Sequence, residues 1–168
     1  MHLPLRLRLL PALLLGLLAG CTGGSTPPGT AAETDKVKAA FESVQQAIKA
    51  RDADKLWNLL DSDTQADAER AAKAWKEKYA MADAEKVKKD LGISTDELAK
   101  LAGASFLKTE PFHNKYEELS QSKMKDVKVT GDQAAVDYVE PDGDKETLKL
   151  ARQNGQWKAR LMMPMPKS

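Results

Sequence analysis

The chain has 168 residues, 26 of them basic and 25 acidic, with three Trp, three Tyr, three Phe and a single Cys. Mixed signs near neutrality argue against nucleic acid, which wants a basic face. One cysteine leaves no partner for an internal disulfide and no thiolate set for zinc.

The first residues form a separate unit. Met1 to Arg8 carries Arg6 and Arg8 and no acid, and Leu9 to Ala19 is apolar throughout. A run of about 11 apolar residues falls short of the roughly 20 that span a bilayer; with basic residues before it and small ones after, it describes a secretory signal. Leu18-Ala19-Gly20-Cys21 resembles the bacterial lipobox. In lipoproteins with that motif the cysteine carries diacylglycerol, signal peptidase II cuts before it, and the new amino group is acylated, often by palmitate. The resemblance implies that residues 1–20 are removed and that Cys21 is the lipidated first residue. It also implies that the membrane and the lipoprotein-processing and sorting machinery are partners. Two or more acyl chains anchor stably where one is marginal. Thr22 resembles lipoproteins sorted to the outer membrane, since Asp at that position favours the inner one; the expected location is the outer membrane, facing the periplasm. Residues 21–32, rich in Gly, Ser, Thr, Pro and Ala, read as a flexible tether reaching about 20 Å. Removing 1–20 takes two of the 26 basic residues, leaving 24 against 25 acidic ones. The remainder is long enough for one domain with one core, here placed at 33–168.

From Glu33 to Ala50, Val37, Ala40, Phe41, Val44, Ala47 and Ile48 recur at helical spacing, which predicts an amphipathic helix. Arg51 to Asp54 breaks it and offers an Asp cap for a short helix burying Leu56, Trp57, Leu59 and Leu60. Asp61-Ser62-Asp63 caps the next, with Ala68, Ala71, Ala72, Trp75 and Tyr79 as its stripe. Asp83 to Leu91 reads as a charged helix stopped by Gly92. Ser94 to Glu97 is a capping box ahead of Leu98 and Leu101, and Gly103 is expected to close that helix. Pro111 suits the first turn of one more helix, with Phe112, Tyr116 and Leu119 on one side.

After Ser122 the period becomes two. Val127 and Val129 alternate with charged residues, Gly131-Asp132 turns the chain, and Ala134, Val136 and Tyr138 follow. Pro141 to Asp144 turns it again before Leu148 and Leu150. Asn154-Gly155 is a strong hairpin signal, and Trp157, Ala159, Leu161 and Met163 end the series. The pattern predicts a four-stranded antiparallel meander with one apolar face covered by the helices, an α+β architecture.

The helix ending in KARDADKLWNLLDSDTQ (residues 49–65) and the meander closing on NGQWKARL (residues 154–161) resemble the nuclear transport factor 2-like superfamily, and small bacterial lipoproteins within it. LGISTDELAKL (residues 91–101) is similar to a helical insertion in some of those lipoproteins, here near 83–103. The resemblance implies a cone: N-terminal helices packed on a curved C-terminal sheet, often with a cavity at the open end. It implies fold more than function, since family members include isomerase-like enzymes and binding modules.

Candidate chemistry is sparse. His113 and Glu117 stand at i, i+4 on the last predicted helix; the alternatives are a surface histidine and a ring oriented by the carboxylate. Tyr138 shares the parity of Ala134 and Val136 and faces the core or a cavity, whereas Asp137 faces out. Phe41, Trp57, Trp75, Tyr138 and Trp157 are expected to line the core or cavity, with Trp57 paired to Trp75 and Tyr138 to Trp157. Met162, Met163 and Met165 offer soft ligands for Cu(I), yet Met163 continues strand parity; no metal site and no cofactor is expected. The lysines at 86, 88, 89, 123, 125 and 128 read as a solvated face. Neither a phosphate loop nor a nucleophile elbow occurs, and no acid pair stands out. The expectation is a lipid-anchored binding module for a small apolar ligand, a peptide or an envelope protein. The alternatives are a small isomerase- or dehydratase-like enzyme using Tyr138 and His113, and a structural role.

Overall fold

A computed structural model describes residues 30–167; the expected signal, Cys21 and most of the expected tether lie outside them. The Thr30 hydroxyl caps α1 (Ala31–Lys49) by accepting from the Glu33 N–H at 3.3 Å. The helix therefore starts at Ala31, inside the segment expected as tether. Asp52 caps α2 (Ala53–Leu59) and Asp61 caps α3 (Ser62–Lys78), each accepting from the N–H three residues on. This is how short side-chain acceptors satisfy the orphan donors of a first turn. Asp83 does the same for α4 (Ala84–Leu91), which ends on Gly92 at φ +73°. A Cβ on Gly92 would also sit 2.8 Å from Glu110 Cγ, so the turn excludes larger residues twice over. Ser94 and Glu97 complete the capping box of α5 (Thr95–Ala99).

Gly103 does not close α5. It opens α6 (Gly103–Phe106), packed on α3 and α2. A Cβ there would meet the Trp57 ring at 2.9 Å. The glycine thus serves close approach between helices rather than helix termination. Pro111 lies in the first turn of α7 (Glu110–Tyr116), followed by a 3₁₀ turn at Leu119–Gln121.

Strands β1 (Lys123–Thr130), β2 (Gln133–Val139), β3 (Lys145–Gln153) and β4 (Gln156–Arg160) form an open antiparallel sheet in the order 1-2-3-4. Asn154 at φ 51° and Gly155 at φ 77° make the β3–β4 turn, the left-handed pair a two-residue hairpin needs. Val127, Val136 and Leu148 share a cross-strand row, as do Val129, Ala134, Leu150 and Ala159. That face packs on α1 through Val37, Phe41, Val44, Ala47 and Ile48, all buried. The free edge of β4 is met by Leu60 in a parallel bridge to Ala159. β4 ends at Arg160, short of the expected Met163: the Leu161 N–H turns to Thr64 Oγ1 of α3 at 3.2 Å. Leu161 and Met163 remain buried nonetheless.

The first turn of α1 sits at the end of the sheet that carries the β1–β2 and β3–β4 turns. Glu33 is ion-paired with Arg152 and accepts from the Trp157 indole at 3.3 Å. The Arg152 guanidinium lies 4.8 Å over the Trp157 ring, a cation–π geometry, and the Arg152 N–H donates to Asp132 O at 2.8 Å. The chain enters the fold at this end.

Candidate functional site

At the opposite end, by the β2–β3 turn, the inner face outruns its helical cover. The buried parity of Ala134, Val136 and Tyr138 continues to Glu140, and that of Leu150 and Leu148 continues back to Glu146, which pairs with Tyr138 across the strands. An open cavity of about 610 Å³ lies here, within the size range of small-molecule sites. Tyr138, Glu140, Glu146 and Leu148 form its sheet wall, and Tyr116, Leu161 and Met162 face them. Lys115, Lys149 and Arg160 complete the rim.

The two tyrosines differ. The Tyr116 hydroxyl donates to Met162 O at 2.7 Å, and burial pushes its pKa well above the ordinary value. The Tyr138 ring packs 5.7 Å from Phe41 and is buried. Burial first, then the charges of Glu140 and Glu146, push its hydroxyl up to about 12.

Three carboxylates converge at the β2–β3 turn, one of them, Glu140, on the cavity wall. Oxygens of Glu118, Glu140 and Asp142 lie within 4.8 Å of one another. Desolvation and the neighbouring charge of Glu118 raise the Glu140 pKa, the response of a partly buried acid among like charges. No acid pair is apparent from the residues alone, yet strand parity carried two residues past Tyr138 and back from Leu148 does identify Glu140 and Glu146. Convergence with Glu118 depends on where α7 delivers the chain, and no local pattern signals it.

His113 is elsewhere. Rather than a surface residue it is 5% exposed, and its buried Nε2 has no hydrogen-bond partner. It belongs to the apolar face of α7, edge-on to Phe112 at 5.8 Å, and does not line the cavity of Tyr138. Desolvation, then the charge of Arg51, lower its pKa.

The aromatic partners also differ from expectation. Trp75 stacks on Tyr79 at 5.9 Å and donates to Pro164 O at 2.8 Å. Trp57 is half-buried against Gly103, Tyr138 meets Phe41, and Trp157 lies under Arg152. Of these rings only Tyr138 lines the cavity. Asp137 faces outward and accepts from Lys128 and Thr147.

Comparison with known proteins finds no matching family model, no matching curated protein and no matching solved structure. Among the described residues no helix is long and apolar enough to cross a membrane.

Proposed function

We propose that this chain is a lipid-anchored cell-envelope protein and a non-enzymatic binding module, built on a nuclear transport factor 2-like cone. The observation that carries the reading is the open cavity of about 610 Å³ beside a buried tyrosine whose hydroxyl no hydrogen bond reaches among the described residues. A concave, partly apolar hollow with a few polar groups is what a binding site requires. Catalysis asks for more, namely an acid or base tuned toward the working pH. Tyr138 is displaced in the other direction, to about 12.

The anchor rests on the lipobox resemblance at Cys21. With that anchor, the tether joins α1 at the hairpin tips, and the cavity lies about 20 Å away along strands that rise roughly 3.3 Å per residue. Intact mass of the wild type should show Cys21 acylated as the first residue, and Cys21→Ser should release the protein from the membrane fraction. An unmodified Cys21, or another first residue, removes the lipoprotein reading.

One observation favours the isomerase- or dehydratase-like alternative: Glu140, with its raised pKa, lines the same cavity as Tyr138. Native mass spectrometry of the full chain should reveal a co-purified small molecule, with no turnover of enolisable ketones or dehydratable alcohols. Turnover abolished by Tyr138→Phe or Glu140→Gln would transfer the cavity to the enzyme reading.

A further inference from the structure

An open sheet has edges, and natural sheets cover, bulge or charge them, because an unpaired strand backbone invites another strand. Two stretches of edge are managed in this way. β1 carries a bulge between Met124 and Asp126 and the charges of Lys123, Lys125 and Lys128. β4 is met by the α2–α3 junction, where the Asp61 N–H donates to Ala159 O at 3.0 Å. A third stretch is open. β4 pairs with β3 only over residues 149–153, so residues 145–148 of β3 have no strand beside them on that side.

The departing chain is held away from that edge. The Leu161 N–H donates to Thr64 Oγ1 at 3.2 Å, the Tyr116 hydroxyl to Met162 O at 2.7 Å, and the Trp75 indole to Pro164 O at 2.8 Å. These bonds draw the chain onto α3 and α7 and leave a gap where β4 would have continued. The cavity of about 610 Å³ is that gap. Four consecutive β3 residues, Glu146, Thr147, Leu148 and Lys149, line it together with Arg160, Leu161 and Met162. Consecutive strand residues alternate in face, so the cavity runs along the strand's edge as well as its inner face.

The ladder shows which backbone groups border the gap. The Glu140 N–H donates to Asp144 O at 2.9 Å, and the Arg152 N–H donates to Asp132 O at 2.8 Å. Even-numbered residues along β3 are therefore directed toward β2, and odd-numbered ones the other way. Lys149 meets Arg160 of β4. Lys145 and Thr147 face the gap, and among the described residues no backbone bond outside the ladder reaches them. A segment continuing the register of β4 would turn two alternate side chains inward, opposite Leu148 and Glu146. The first would lie against Leu148 and Leu161, and the second beside Glu146 and Glu140. The cations of the lining leave those acids free of salt bridges among the described residues: Arg160 is held by Asp61 and Asp63, Lys115 lies over the Tyr116 ring, and Lys149 has outward parity.

We propose that the gap beside β3 takes an extended segment of a partner protein as an added antiparallel strand, with an apolar residue and, two residues on, a basic one. Its backbone N–H and C=O meet those of Thr147. Its apolar side chain lies on Leu148 and Leu161, and its basic side chain reaches Glu146 and Glu140. Backbone bonds supply the affinity and alternate side chains the selectivity, as wherever a sheet edge recruits a peptide. A second copy fits less well. Pairing through the same edge about Thr147 would set Leu148 opposite Glu146 and bring the acids no cation.

The inference rests on the binding-module reading and names the kind of partner. The test uses the full chain in nanodiscs, with empty nanodiscs as control, and an acetylated peptide amide of threonine, leucine, threonine, lysine and threonine. Ligand-observed NMR follows binding, and amide hydrogen exchange locates it. The peptide should bind and slow exchange at Lys145 and Thr147 while leaving β1 unchanged. Methylating the central threonine nitrogen should weaken it roughly tenfold or more, the scale of a lost backbone bond and its stranded partner. Replacing the peptide's lysine by glutamine, or Glu140→Gln with Glu146→Gln in the protein, should each weaken it by about fivefold, the upper end for a screened ion pair. Equal binding of the methylated peptide overturns the added strand and keeps the binding module. Protection confined to another edge, or no response to the peptide, overturns the inference, and co-purification then decides the broader reading alone. A dimer of the full chain that Thr147→Pro dissociates at an unchanged unfolding midpoint gives the gap to a second copy and overturns it as well.

Discussion

The two ends of the sheet arrange their acidic side chains in opposite ways. At the hairpin tips Glu33 meets Lys36, Arg152 and the Trp157 indole, and Arg152 also approaches Asp132 at 3.7 Å. The Glu33 contacts with Arg152 and Trp157 hold the start of α1 against the sheet. At the β2–β3 turn carboxylate oxygens of Glu118, Glu140 and Asp142 lie within 4.8 Å of one another, and Glu140 and Glu146 line a cavity with Tyr138, none of the four acids in a salt bridge among the described residues. Complementary charge marks a joint of the fold. Uncompensated charge beside a cavity marks a place where the fold gains little by itself, and where a ligand can contribute what is missing.

The sharpest way to break the comparison is at the joint. Trp157→Ala removes a large buried side chain, the surface under Arg152 and the indole donor to Glu33, and should cost about 3–5 kcal/mol. Lys149→Ala, on the outer face of the neighbouring strand, should change stability by no more than about 0.5 kcal/mol. Urea unfolding of both variants reads the difference; equal losses would mean that the strand faces are assigned wrongly.

A second substitution probes the helical layer that the sheet leans on. Gly103→Ala forces a Cβ to within 2.9 Å of the Trp57 ring and 2.8 Å of Glu69. Overpacking of this kind costs about 1–3 kcal/mol, against the small gain expected of alanine in an unobstructed helix. A stabilised variant would show that α6 has room to move away from α2 and α3.

These two positions also show what was readable in the sequence. Trp157 follows from alternation and a hairpin dipeptide, both local, and so do the caps at Asp52, Asp61, Asp83 and Ser94. Gly103 reads locally as a stop. Its actual place at the start of α6 is decided by Trp57 and Glu69, more than 30 residues earlier in the chain. His113 fails for a similar reason: polar neighbours suggest a surface, but α7 turns that side inward. The candidate site was half legible. Parity places Tyr138 inside and, continued further, Glu140 and Glu146 too. Glu118 joins them only through the tertiary path of α7 and the 3₁₀ turn.

His113 gives a pH test away from both ends. Its folded-state pKa lies below the ordinary 6.5, because burial disfavours the charged ring and Arg51 adds repulsion, opposed in part by Glu110 and Glu117. The unfolded chain therefore binds the proton first on acidification. Stability should fall as pH drops from 6.5 toward the lower folded value and level off beneath it. Urea midpoints measured across that range should show the slope in the wild type and lose it in His113→Leu. A slope that persists in the variant would assign it to other groups.

The smallest effect distinguishes the two ends most directly. Glu33 and Glu140 share an ordinary pKa of 4.5 and move apart. The Lys36 hydrogen bond, with Trp157 and Arg152, holds Glu33 below that value. Burial and the charge of Glu118 hold Glu140 above it. The signs for stability are opposite. The Glu33 contribution is present above pH 4.5 and is lost as pH falls through its lowered value. Glu140 is favoured when protonated, and its contribution is lost as pH rises from 4.5 through its raised value. Carboxyl-carbon NMR of the full chain should resolve the two titrations on either side of 4.5. Glu140→Gln should then stabilise the protein slightly at neutral pH, by roughly 0.5 kcal/mol as expected for a like-charge contact still open to solvent screening, and lose that advantage in acid. Coincident titrations, or a Glu140→Gln variant that is less stable at neutral pH, would mean that the acidic cluster has a compensating cation, and the contrast between the two ends would disappear.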